Sequence, residues 1–252
     1  MNNPSKSVYD EAESCGKAGF DFLDLTIEGP GAAEIDADRL KPILDSYGLT
    51  VTGHTDPCLP YAYPVQGIRD ACLKELERCA GIFSALGAAV MNIHPCYFCP
   101  PAMRKDIVSF NIEALQAIVE MADSYGLAAV LENYKVPFDR VPTFKKLLAK
   151  VPGLKLHLDF GHTHFGKDGH EAFCSELGEH IRHVHFSDNR GRADDHMPLG
   201  VGSVNWQRAV NSLKKIGYDD TITLEVFCND PGMQPKYLDL NREMVRELWD
   251  RG

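Results

Sequence analysis

The chain has 252 residues, 44% of them hydrophobic and 25% charged, which suits one large domain spanning 1–252. Lys and Arg number 26 against 36 Asp and Glu, a formal charge of −10. An acidic body argues against nucleic acid and anionic membrane as partners, although it does not exclude a local basic patch. No apolar run approaches the roughly 20 residues of a membrane span. Met1 to Ser7 carries no apolar signal region, and the eight cysteines are scattered, so a cytoplasmic, reducing setting is expected.

In chain order, helical segments end in glycine and an apolar strand follows at once. Gly19 leads into a strand over 20–28 and Gly48 into 49–55. A helix with Cys72, Leu76, Cys79, Phe83 and Leu86 on one face then ends at Gly87, before a strand over 88–94. A second stripe, Ile107, Phe110, Ala114, Ala117, Ile118 and Met121, ends at Gly126 before 127–133. Gly153 opens 154–160, and a strand follows over 181–188. A third stripe, Trp206, Ala209, Val210 and Leu213, ends at Gly217 before 221–227. Glycine just past a helix takes the left-handed conformation cheaply. Short apolar strands alternating with amphipathic helices predict a parallel α/β fold, a TIM (β/α) barrel. Seven strands are visible where a closed barrel wants eight, so the first strand, ahead of Ser7, is expected to be missing or degenerate. No Gly-x-Gly-x-x-Gly or Walker loop supports a doubly wound sheet.

The polar residues at the strand ends form a set: Glu28, His54, His94, Glu132, Asp159 with His162, His185 and Glu225, joined by Asp194 and His196 from the loop after the sixth strand. In a parallel barrel all these ends share one face. Any one of these histidines alone would be read as a hydrogen-bonded structural residue, and Glu28 alone as a solvated carboxylate. Their joint placement is what points to chemistry. His157, His164, His170, His180 and His183 fall off the strand ends and are read as structural, with His183 at best a neighbour of His185. Clustered carboxylates repel and protonate unless a cation joins them, and imidazole with carboxylate suits zinc, manganese or cobalt. Cys96 and Cys99, beside His94, read as free loop thiols.

At Asn92-Ile93-His94-Pro95, Leu131-Glu132-Asn133, Leu158-Asp159-Phe160-Gly161-His162, His185-Phe186-Ser187-Asp188-Asn189, Asp194-Asp195-His196-Met197-Pro198-Leu199-Gly200-Val201-Gly202 and Leu224-Glu225 the sequence resembles the xylose isomerase-like TIM-barrel superfamily. That superfamily contains sugar isomerases and epimerases and the endonuclease IV branch. The epimerase resemblance implies one divalent metal (Mn, Mg, Co or Zn) on Glu132, Asp159, His185 and Glu225. It also implies proton transfer by Glu132 and Glu225 through a stabilised enediolate, and a substrate hydroxyl on His162. Substrate contacts are expected at Glu28 and at Arg190 or Arg192, with a small carbohydrate, sugar or sugar phosphate, as partner and a homo-oligomer as assembly. The region after Glu132, Tyr134-Lys135-Val136-Pro137-Phe138, departs from the epimerase pattern, so no particular substrate is carried over. The endonuclease IV resemblance implies instead up to three zinc ions, with His54, His94, His162, Asp194 and His196 as additional ligands, acting on abasic DNA. A dehydratase or lyase, or a non-catalytic barrel, is the further alternative.

Overall fold

The computed structural model describes every residue except Pro4, Pro30, Asn229, Pro231 and Gly252. Its strands are β1 (Phe22–Ile27), β2 (Thr50–Thr55), β3 (Val90–Ile93), β4 (Ala128–Glu132), β5 (Lys155–Asp159), β6 (Ile181–Phe186) and β7 (Ile222–Leu224). Their sheet order is the order of the chain. The helices are α1 (Val8–Lys17), α2 (Ala37–Tyr47), α3 (Gln66–Ala85), α4 (Ile107–Ser124), α5 (Val141–Lys150), α6 (Phe160–Phe165), α7 (His170–Leu177), α8 (Trp206–Lys215) and α9 (Gln234–Asp250). These are the strand–helix repeats read from the sequence. The six glycines expected to stop helices, Gly19, Gly48, Gly87, Gly126, Gly153 and Gly217, all have positive φ, between 67° and 88°. No helix among the described residues is long and apolar enough to cross a membrane.

The chain packs as two compact units, Met1–Leu131 with Lys146–Lys155, and Glu132–Lys145 with Leu156–Gly252. In the first unit β1, β2, β3 and β4 pair in parallel, with Thr26 beside His54 and His54 beside Asn92. Ahead of α1 no strand is assigned among the described residues. Asn2 stands at the β1 edge instead. Its N–H donates to the Asp24 carbonyl (3.2 Å), and its side chain accepts from Thr26 N–H (2.7 Å). The sheet's first strand is present as β1, so the expectation of a missing or degenerate first strand is not borne out.

Helix α3 buries Cys72, Leu76, Cys79 and Phe83, as its period predicts. Phe83 packs closely against β2 because residue 53 is glycine: a β-carbon there would sit 2.5 Å from the Phe83 ring. Gly53→Ala is expected to destabilise the protein by about 1–3 kcal/mol, the usual cost of overpacking, read as a lower urea midpoint at unchanged slope.

Helix α4 departs from expectation. It buries Ile107, Asn111, Leu115, Ile118 and Ala122, whereas Ala117 is exposed and Phe110 only half-buried. The stripe is rotated because polar Asn111 belongs to it. Asn111 Nδ2 donates to the carbonyls of Cys96 (2.7 Å) and Ile107 (2.9 Å), and its Oδ1 accepts from Cys96 N–H (2.9 Å). The Tyr61 hydroxyl lies 3.0 Å from the same Oδ1 and 2.9 Å from the His94 carbonyl. This buried clamp pins the loop that follows β3.

In the second unit β5 pairs with β6 and β6 with β7, all parallel. Strands β5 and β6 are mostly buried, and beyond a register shift between Leu156 and His157 their residues alternate between the two faces. Leu156, Leu158, Val184 and Phe186 face one way, where Phe186 meets Phe160 and Trp206 at 4.9 and 4.8 Å between ring centroids. His157, Asp159, His183 and His185 face the other way, all at most 1% exposed. The helix faces of the strands carry the core, so the opposite face is free to be polar.

Candidate functional site

The site is built where β4, β5, β6 and β7 end in the second unit. Strand pairing sets Asp159 beside His185. At the end of β5 the backbone of Asp159 is gripped by the Asn133 side chain, which accepts from Asp159 N–H (2.7 Å) and donates to the Asp159 carbonyl (3.0 Å). Asp159 then caps α6, its Oδ1 accepting from His162 N–H at 2.6 Å. Residue 161 must be small for that turn to close, since a β-carbon on Gly161 would stand 2.4 Å from Ser187 Oγ. The result leaves Asp159 Oδ2 buried with no hydrogen-bond partner among the described residues.

His162 joins two acidic groups. Its Nδ1 lies 2.7 Å from the Asn133 carbonyl and 3.2 Å from Glu132 Oε1, and its Nε2 lies 2.9 Å from Asp194 Oδ2. Carbonyl and carboxylate oxygens only accept, so both ring nitrogens carry protons and the ring is an imidazolium. Burial works against that charge, but Asp159, Asp194 and Glu132 outweigh it and hold the His162 pKa well above the ordinary value.

The contacts continue around a ring. His196 Nε2 lies 3.5 Å from Asp194 Oδ1 and 3.4 Å from Glu225 Oε1. Glu225 Oε2 lies 3.1 Å from His185 Nδ1, which is 3.9 Å from Asp159 Oδ2. Burial disfavours the charged His196 ring, yet Glu225, Asp194 and Asp159 lift its pKa to about 9. Burial would raise the Glu225 pKa, but His185 and His196 hold it well below the usual range. Asp159 goes the other way: burial drives its carboxyl up to about 7, helped by Glu225 and Glu132 and opposed by His162. Glu132, Asp159 and His185 each offer one ligand atom, all within 4.8 Å of one another. A buried orphan oxygen beside imidazole and carboxylate donors is a donor set that a divalent cation fits.

The loop carrying Asp194 and His196 is tied down by Asp188, which is 0% exposed. Its Oδ1 accepts from the N–H groups of Asn189 (2.9 Å) and Val204 (3.1 Å). Its Oδ2 accepts from Gly200 N–H (2.8 Å) and Trp206 Nε1 (3.0 Å). Within that loop His196 holds φ +46°, a conformation uncommon outside glycine. Asp188→Asn turns an amide NH₂ toward backbone donors and is expected to cost about 1–3 kcal/mol, the penalty for an unsatisfied buried group. Chemical denaturation measures it.

Of the other expected site residues, His54, His94 and Glu28 belong to the first unit. In the first unit His54 and His94 have ring centroids 5.0 Å apart. His54 Nε2 lies 3.3 Å from Asn92 Nδ2, and its Nδ1 lies 3.8 Å from Asp24 Oδ1. Glu28 is half-buried just past β1 and lines a cavity. Arg190 and Arg192 are both exposed. All eight cysteines, Cys96 and Cys99 among them, are free thiols.

A family model described as xylose isomerase-like TIM barrel matches residues 12–248. The chain belongs to that family. It is 31% identical to an uncharacterized protein of Methanocaldococcus jannaschii, over 87% of this chain and 79% of that one. It is 22% identical to an inosose isomerase of Bacillus licheniformis, over 95% of this chain and 88% of the relative. Among solved structures it is similar to a D-tagatose 3-epimerase-like protein, with TM-score 0.76, 25% identity and 90% of each chain covered.

Reading only strand ends missed His157, whose Nδ1 lies 3.2 Å from Glu132 Oε2. Burial, reinforced by the neighbouring His185, holds its pKa well below the ordinary value, so His157 is a neutral ring beside that carboxylate. The signal was available: His157 stands two residues before Asp159 and therefore shares its face. Asn133 and Asp188 were visible only as letters of motifs, with no hint of what they hold.

Proposed function

We propose that this protein is a divalent-cation-dependent sugar isomerase or epimerase, with Glu132, Asp159, His185 and Glu225 as cation ligands and Glu132 and Glu225 as the proton-transfer groups. The observation that carries the reading is the convergence of Glu132, Asp159 and His185 ligand atoms within 4.8 Å, with Glu225 against His185 at 3.1 Å. A cation bound there supplies positive charge to stabilise oxygens that become anionic when a neighbouring C–H is deprotonated. The protein's own part is proton handling. Glu225, held ionised by His185 and His196, is poised to accept a proton. Glu132, between His157 and His162 at 3.2 Å each, is the partner that returns a proton, which it first takes from the His162 ring.

The similarity to an inosose isomerase and to a D-tagatose 3-epimerase-like protein supports a polyhydroxylated ketone as substrate class. We take one cation per chain, on Glu132, Asp159, His185 and Glu225, as the favoured count. The test is incubation of the manganese-loaded protein with a panel of ketoses, free and phosphorylated, in deuterated water. Incorporation of deuterium at carbon together with an isomeric product is expected. A panel with no exchange at any carbon ends the reading.

A further inference from the structure

The first unit holds a cavity of about 400 Å³ beyond the end of β1, lined in part by Lys6, Tyr9, Thr26, Glu28, Glu34 and Arg39. Two features mark it as built for a ligand. Thr26, on β1 and only 2% exposed, belongs to the lining, and its hydroxyl has no hydrogen-bond partner among the described residues. A buried unsatisfied hydroxyl costs free energy unless something meets it.

The second feature is Arg39. Its guanidinium lies 3.7 Å over the Tyr9 ring, and among the described residues it forms no ion pair. Tyr9 is itself fixed, its hydroxyl donating to the Glu34 carbonyl (3.0 Å) and accepting from Asp36 N–H (3.1 Å). A guanidinium propped on a fixed ring is pre-organised to present its fork to a carboxylate. The other cation, Lys6, is engaged by Glu11 at 3.3 Å. Glu28 and Glu34 add negative charge to the lining, which disfavours a dianion such as phosphate and offers acceptors to hydroxyl groups.

We propose that this cavity is a binding site for a small hydroxylated carboxylate, a monoanion of the sugar-acid class, with its carboxylate on Arg39 and a hydroxyl on Thr26. The proposal stands apart from the cation centre, and the test separates the two. D-gluconate is titrated calorimetrically into the full-length protein, into Arg39→Gln and Thr26→Val, and into Glu132→Gln as a control for binding at the cation centre. Inorganic phosphate and sorbitol are the comparison ligands.

Saturable gluconate binding is expected, about tenfold or more weaker in Arg39→Gln, as for loss of a charge-assisted hydrogen bond. Binding in Thr26→Val is expected to fall by roughly two- to tenfold, the range for a neutral hydrogen bond. Glu132→Gln should bind as the wild type, and phosphate and sorbitol should bind more weakly than gluconate. Absence of saturation by gluconate, unchanged affinity in Arg39→Gln, or an equal loss in Glu132→Gln each overturns the proposal.

Discussion

Glu225→Gln is expected to lower turnover on the ketose substrate by at least about a hundredfold, the lower bound for removing a positioned acid–base group, and to stop exchange of the substrate's carbon-bound hydrogen with solvent. Glutamine keeps the shape of the side chain but neither accepts a proton nor carries charge. Two imidazoles face this carboxylate, His185 at 3.1 Å and His196 at 3.4 Å, and they keep it ionised against the pull of burial. A carboxylate held down in this way is present as base throughout the neutral range, so the loss should not be recovered at high pH. Glu132→Gln should be equally impaired by a different route. Its two oxygens face His157 and His162 at 3.2 Å each, and neutralising it leaves the imidazolium of His162 short of a counter-charge. Exchange and turnover measured side by side discriminate the roles. Wild-type exchange rates in both variants would sink the two-glutamate assignment, whatever their turnover.

Much of this arrangement was legible in the sequence because its elements are regular. The glycine that ends each helix fixes where the following strand begins, and every strand end then delivers its last polar residue. Glu132, Asp159 and His185 were read that way, and the fold brings them within 4.8 Å of one another. Glu225 lies just past β7, which stops at Leu224, and its N–H donates to the Phe186 carbonyl at 3.0 Å. Proximity to the neighbouring strand, not strand membership, places it. What stayed hidden depends on contacts between residues far apart in the chain. Asp188 gathers donors from residues 189, 200, 204 and 206, and no period encodes such a set. Asn111 reads as a flaw in an apolar stripe until its partners Cys96 and Tyr61 are seen beside it. Tyr9 and Arg39 belong to two different helices, and nothing in either helix announces that the ring supports the guanidinium.

Added manganese or zinc is expected to raise the melting temperature of protein stripped by a chelator, by roughly 5–10 °C at a hundredfold excess over the dissociation constant. That figure takes about 2.7 kcal/mol of linkage at about 2–4 °C per kcal/mol for a chain of this size. The sign follows from the carboxylates. Asp159 has its pKa raised from 3.8 to about 7 by burial and by its acidic neighbours. A carboxyl raised in the fold destabilises the native state above its ordinary pKa, and the cost grows until the pH passes about 7. A cation against Oδ2 relieves that cost and competes with the proton for the same oxygen. The thermal shift should therefore be small near pH 5, increase through neutrality and level off above pH 8. Asp159→Asn removes both the repulsion and the ligand. It should melt close to or above the stripped wild type and gain little from metal, whereas Glu132→Gln should lose the gain while keeping the orphaned Asp159 oxygen. A melting temperature indifferent to chelator and to added metal at pH 8 would show that the convergence of Glu132, Asp159 and His185 is held by protons alone, and the cation-dependent reading would go with it.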